Sequence, residues 1–180
     1  MRAAGAGHAR WAAMTERGKP MSRRLVRPVL RAGYGARRLY RAIVRPVTLG
    51  VRAIVTDAAG RVLLVRHTYT PGWYLPGGGV ARAETVPDAA VRELLEEAGV
   101  RALGPPRLVG IYANFLQSTF DHIAVYDVAE WEPAGPPLHL GIEIAEVGFF
   151  DPQALPDDIS PGTRLRLEEY WGRRRPGAHW

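Results

Sequence analysis

Between Glu84 and Glu97 the sequence sets four glutamates and one guanidinium at intervals a helix would gather: Glu84, then Arg92-Glu93, then Glu96-Glu97. Over residues 86–98, Ala90, Val91, Leu94, Leu95 and Ala98 form an apolar stripe, and Arg92, Glu93, Glu96 and Glu97 share the other face. Glu93 is three residues from Glu96 and four from Glu97, a spacing at which each like-charge pair costs a few tenths of a kcal/mol. Arg92 offsets part of this. A hard divalent cation would relieve the rest, because Mg²⁺ binds through a few carboxylates and completes its shell with water and phosphate oxygens. The plainer reading of an acidic helix face is solvated surface, so the neighbouring sequence has to decide.

Immediately upstream, Gly77-Gly78-Gly79 makes a loop able to bring bare backbone amides and carbonyls close to a phosphate or a metal. From Gly78, five residues intervene before Glu84 and seven more before Arg92-Glu93, followed by Leu94, Leu95, Glu96-Glu97, Ala98, Gly99 and Val100. Every fixed position of G-x5-E-x7-R-E-U-x-E-E-x-G-U is filled, where U is a bulky aliphatic residue.

That string, residues 78–100, resembles the Nudix box, and the approach Trp73-Tyr74-Leu75-Pro76-Gly77-Gly78 is similar to the usual entry into it. Ala83 stands where Gly is frequent, at an unspecified position. The resemblance to the Nudix hydrolases implies an α/β fold, an α/β/α sandwich around a mixed β-sheet over residues 47–172. It implies hydrolysis of a diphosphate linkage in a nucleoside diphosphate joined to another group, or in a related small molecule, with Mg²⁺ or Mn²⁺. Carried over by position, Glu93 and Glu97 are the principal metal ligands, Glu96 an additional one and the Gly77 carbonyl a backbone ligand. Glu84 and Arg92 orient the cluster. An acid from outside the box, Glu143 or Glu146, completes the set, with Glu146 preferred for its spacing to Phe149-Phe150. The chemistry is consistent: a diphosphate repels nucleophiles, so cations must neutralise it and help deprotonate water, and Arg92, four residues before Glu96, is placed to pin that carboxylate.

The helix at 86–98 is the firmest element. Thr85 and Asp88 have capping-box spacing, Pro87 suits a first turn and Gly99 a C-terminal stop. Before it, the alternation of Leu49, Val51, Ala53 and Val55, a turn at Asp57–Gly60 and the run Val62–Val65 predict a β-hairpin. Strands are expected near 107–112, 121–128 and 144–150, a last helix near 162–171, and a polar tail at 173–180. Arg66 and His67 read equally as phosphate contacts or surface residues, His122 and Tyr112 as strand residues, and Trp73 as a core cap rather than a base-stacking ring.

The 180 residues suit one domain with a leader. Residues 1–52 carry 13 of the 24 Lys and Arg against one of the 18 acids, so the leader is net +12 and the remainder net −6. A nucleic-acid argument from charge therefore applies to the leader alone, and no specific nucleic-acid partner is expected. Residues 1–21 read as a disordered leader, with Met21 an alternative start. Residues 22–46 read as a basic amphipathic helix, which either packs on the domain or makes weak contact with a membrane surface. With no Cys there is no disulfide, thiolate nucleophile or sulfur-bound metal. No apolar run reaches the ~18 residues of a membrane span and no secretory signal is evident, so a cytoplasmic location is expected. Monomer and homodimer both stay open. Two rivals to a hydrolase are a non-catalytic Nudix-fold sensor of a nucleotide metabolite, which has no need of the full acid set, and a membrane-surface protein centred on residues 22–46.

Overall fold

The computed structural model describes residues 47–115 and 120–180; the expected leader and basic helix lie outside them. Among the described residues eight strands and two helices run in the order β1 (Val47–Ile54), β2 (Val62–His67), β3 (Trp73–Tyr74), α1 (Val86–Ala98), β4 (Val100–Ala102), β5 (Arg107–Asn114), β6 (Phe120–Asp127), β7 (Trp131–Pro133), β8 (Ile144–Phe150) and α2 (Pro161–Tyr170). One sheet has the order β1-β6-β5, with β1 parallel and β5 antiparallel to β6. A second, antiparallel sheet has the order β3-β2-β8, and β4 pairs with β7.

Residues 53–55, running off the end of β1, and 62–65 in β2 are continuous apolar runs, each buried because it is covered on both faces. Ala53, Val55, Leu63 and Val65 pack with Leu94 and Ala98 of α1. On the other side Ile54, Val62 and Leu64 pack with Trp73, Leu75 and Leu167 of α2. This alternation puts a helix on each side of the strands, the expected α/β/α sandwich.

The predicted hairpin is present only at its turn. The Asp57 carboxylate accepts from the amides of Ala59 and Arg61, and Leu63 N–H donates to the Val55 carbonyl at 3.0 Å. Beyond that the strands separate, β1 taking β6 and β2 taking β8. The expected strands at 107–112, 121–128 and 144–150 are present as β5, β6 and β8, and both predicted helices form. Thr85 caps α1 by accepting from Asp88 N–H, and Gly99, at φ 65°, ends it in the left-handed region that favours glycine.

Residues 177–180, expected in a polar tail outside the domain, pack on it. Ala113 N–H donates to the Ala178 carbonyl and Trp180 N–H to the Ala113 carbonyl, both at 2.9 Å, along the free edge of β5. Polar composition around Arg173–Arg175 concealed this docking because its bonds come from the backbone.

Candidate active site

The glycine loop is held as an added edge to β1. Ala53 N–H donates to the Pro76 carbonyl and Val51 N–H to the Gly78 carbonyl, each at 2.9 Å, and Val80 N–H donates to the Leu49 carbonyl at 3.1 Å. At this approach a side chain has no room. A Cβ on Gly77 would fall 2.1 Å from the Val51 carbonyl oxygen, and the Gly77 φ of 145° is itself a glycine conformation. A Cβ on Gly78 would meet the Glu93 carboxylate at 2.5 Å. The loop thereby brings its backbone against the acidic face of α1, and Gly77 N–H donates to Glu97 Oε2 at 2.8 Å.

Glu97 is buried, although the helical pattern alone would leave it on the solvent face. Burial pushes its carboxyl up to about 7, with Glu93 and Glu143 adding repulsion, against the opposing pull of Arg52 and the Gly77 amide. Burial also raises Glu93, while its hydrogen bond from Arg92 lowers it. His67 Nδ1 lies 3.8 Å from Glu97 Oε1. Burial first, and Arg52 second, bring the imidazole down to about 4, so at neutral pH this contact is not an ion pair.

Arg92 ties the acids together, with an emphasis the sequence did not anticipate. Its guanidinium grips Glu84 in a two-pronged contact, Nε to Oε1 at 2.7 Å and Nη2 to Oε2 at 3.1 Å. It reaches Glu93 at 2.8 Å and the Gly79 carbonyl at 3.1 Å, while Glu96, the expected i,i+4 partner, is the longest contact at 3.3 Å. Glu84 also accepts from Ala81 N–H, and the Arg92 hydrogen bond chiefly takes its carboxyl down to about 2. Arg92 and Glu84 thus form a permanently charged buttress between the loop and the helix.

Glu93, Glu97 and Gly77–Gly79 line one cavity of about 580 Å³, together with Arg52, His67 and Glu143. Glu96 is not in that lining; it lies between Arg92 and His139, whose Nε2 is 3.9 Å away. Glu146, the preferred downstream acid, is exposed and directed at Arg66 3.7 Å away, its strand partner across β2 and β8. The alternative, Glu143, faces the cavity and acts electrostatically on Glu97. Glu146 is the third residue of β8, which places it across the sheet from Arg66 instead. The Gly77 carbonyl accepts from Arg52, which also donates to the Leu75 carbonyl at 3.0 Å.

Arg66 is engaged elsewhere, 2.9 Å from Asp158 and over the Trp73 ring at 4.9 Å, and Trp73 sits in the core against Phe150. Sequence reasoning missed Arg52, Asn114, Asp121 and Trp180, all of which line the cavity. The signal for Arg52 was a charge interrupting an otherwise apolar strand. The other three are brought in by pairing distant segments.

The donors fit a hard divalent cation. They are oxygens only, and burial leaves Glu93 and Glu97 reluctant to ionise, a cost a dication would offset.

A family model described as the NUDIX domain matches residues 46–170. The chain is similar to a putative 8-oxo-dGTP diphosphatase of Bacillus subtilis (strain 168), 29% identical over 123 residues that cover 68% of this chain and 79% of the relative. It is 43% identical over 83 residues to the Homo sapiens diphosphoinositol polyphosphate phosphohydrolase 2, which covers 43% of this chain and 45% of that relative. Among solved structures, a MutT NUDIX hydrolase from Burkholderia pseudomallei superposes with a TM-score of 0.60 at 26% identity, over 68% of this chain and 97% of the other.

Proposed function

Because the chain belongs to the NUDIX domain family, we propose that it is a divalent-metal-dependent pyrophosphohydrolase, cleaving a diphosphate linkage in a nucleoside diphosphate joined to another group or in a related small molecule. The observation that carries this reading is the burial of Glu93 and Glu97 in one cavity with the glycine loop, where their negative charge is under-compensated. The two relatives named for enzymes act on different compounds, and both names denote phosphohydrolase chemistry.

Glu93 and Glu97 would hold the cation, Mg²⁺ or Mn²⁺, with Glu143 as the acid from outside the helix. When bound, the metal supplies neutralisation of the diphosphate and a lowered pKa for the attacking water. Among the described residues no three Asp, Glu or His side chains already converge on one point. Arg92 draws Glu93 and Glu96 to one side and Arg52 occupies the Gly77 carbonyl, so Glu96 and that carbonyl join only if these bonds loosen. Arg92 and Glu84 fix the helix against the loop. The Gly77 amide orients one Glu97 oxygen, leaving the other toward His67.

The test is turnover by purified protein, with Mg²⁺ or Mn²⁺, on nucleotide sugars, dinucleoside polyphosphates, ADP-ribose, NAD(H), coenzyme A, oxidised nucleoside triphosphates and diphosphoinositol polyphosphates. Metal-dependent release of phosphate or a nucleotide from at least one is expected. No turnover of any of them, by folded protein with either metal, would count against the reading.

A further inference from the structure

The acids occupy one part of the cavity wall; another part is supplied by the last residues of the sequence. Trp180 lines the same cavity and is only partly buried, with Gly162 at the start of α2 packed against it. A Cβ on Gly162 would fall 2.1 Å from the indole Nε1, so the ring lies flat against a glycine backbone. The ring also meets Tyr112 edge-on, with centroids 6.4 Å apart, and the Arg166 guanidinium lies 6.0 Å from its centroid.

The segment is held by a buried ion pair that the proposed hydrolysis does not use. Arg166 and Glu169 are 3% and 2% exposed in their side chains and 2.7 Å apart. Placing two charges out of water is costly unless their hydrogen bonds are completed. Here residues 177–179 supply two of them, Arg166 Nη1 donating to the His179 carbonyl at 2.6 Å and Glu169 Oε1 accepting from Gly177 N–H at 2.9 Å, while Arg166 Nε and Glu169 Oε2 stay without a hydrogen-bond partner. The Arg166 guanidinium also lies over the Tyr112 ring at 4.0 Å. Clamp, β5 edge and Gly162 together fix an indole in a cavity wall. Asn114 and Asp121, opposite each other on β5 and β6, line that cavity with polar groups. A rigid flat ring beside polar side chains is suited to a heteroaromatic ring bearing donors and acceptors.

We propose that Trp180 is a specificity-determining residue that stacks on the base of a nucleotide substrate, held in place by the Arg166–Glu169 clamp. This rests on the hydrolase reading for the meaning of the cavity, and it adds the substrate's non-phosphate end. Base-on-aromatic stacking is sequence-tolerant and changes affinity by about tenfold or more.

GMP carries a base where ribose 5-phosphate carries the anomeric hydroxyl, and neither has a diphosphate to be cleaved, so calorimetric binding with Mg²⁺ isolates the contact. The full-length protein should bind GMP at least about tenfold more tightly than ribose 5-phosphate. Trp180→Leu, which keeps apolar volume but removes the flat ring, should bring the two ligands within about twofold, and Trp180→Phe should restore much of the preference. Gly162→Ala moves the ring without altering it and should act like Trp180→Leu. A thermal melt of each variant shows that the fold is retained. Absence of any preference in the unmodified protein, or a preference unchanged in both Trp180→Leu and Gly162→Ala, would overturn the proposal. Failure of every diphosphate substrate with the GMP preference intact would instead sink the hydrolase reading.

Discussion

Glu97 combines two properties that oppose each other in free protein: it is buried, and the proposed chemistry needs it charged. Glu97→Gln and Glu93→Gln should each lower kcat/KM at least about 100-fold, roughly 3 kcal/mol of transition-state stabilisation, with the fold intact. Steady-state kinetics beside a thermal melt check this, and full activity in both variants would remove the ligand assignment. Glu143→Gln should raise the metal concentration needed for half-maximal turnover, whereas Glu146→Gln, whose carboxylate faces Arg66, should leave the metal titration unchanged. The pH dependence of stability follows from two opposite shifts. Glu97 is raised from 4.5 to about 7, so the folded state keeps a proton the unfolded chain has lost, and stability falls as pH rises through that window. His67 is lowered from 6.5 to about 4, so the unfolded chain holds the extra proton and stability rises across that window. Between about 4.5 and 6.5 the two slopes cancel in chelator, leaving a decline from about 6.5 to 7; Arg52 acts on both groups, whereas Glu93, Glu143 and the Gly77 amide act on Glu97. Glu97→Gln removes one slope, so its unfolding free energy should climb from pH 4 to 6.5 by about 1.4 kcal/mol per pH unit and then level, and its melting temperature should follow. A parallel pH profile in the two proteins would contradict the burial of Glu97 as the cause.

At the scale of elements, the site is one helix pressed on one glycine loop, with the loop hydrogen-bonded to β1. Gly77→Ala should therefore damage both fold and site: its Cβ meets the Val51 carbonyl, and the positive φ costs about 1–3 kcal/mol by itself. The expected result is a melting temperature lower by several degrees and loss of most turnover. A variant as stable and active as the parent would show that the loop need not approach β1 so closely. α1 was legible because its signals are local: Thr85 at the cap, Pro87 in the first turn, Gly99 at the stop, and a regular apolar stripe ending in Leu94 and Ala98. The box within it was legible for the same reason, since its spacing is a property of a single loop and helix. What could not be read was long-range pairing. The turn after Val55 advertised a hairpin, but whether β1 continues beside β2 or beside β6 depends on a strand more than sixty residues later. Glu143 and Glu146 are three residues apart in sequence, yet one faces the cavity and the other Arg66, a distinction set by where β8 begins. Trp180 enters the cavity through backbone bonds to β5, which leave no side-chain pattern. β3, β4 and β7, of two or three residues each, are too short to show a period.

Charge divides the whole molecule unevenly. After residue 52 the chain is net −6, and its cavity presents further carboxylates, so an anionic diphosphate gains nothing from the domain's overall field and depends on the cation and Arg52. The basic excess lies almost entirely ahead of the domain, where 12 of the 24 Lys and Arg precede Pro46. The family match begins at residue 46 and every residue lining the cavity lies at 48 or later. A chain beginning at Arg45 should therefore keep its kcat/KM within about threefold, while losing any affinity the arginines give for anionic surfaces. Near an anionic membrane each Lys or Arg contributes about 1 kcal/mol, so losing even a few should be decisive at low salt and weaker at high salt. Sedimentation of the full and shortened chains with phosphatidylserine vesicles, across a salt series, separates the roles. Salt-sensitive binding by the full chain alone supports a surface anchor. Equal partitioning of both chains, with a lower melting temperature for the shortened one, assigns residues 22–46 to packing on the domain instead. Loss of hydrolysis in a shortened chain that still melts cooperatively would show that the leader contributes to the site itself, contrary to the placement of every lining residue beyond it.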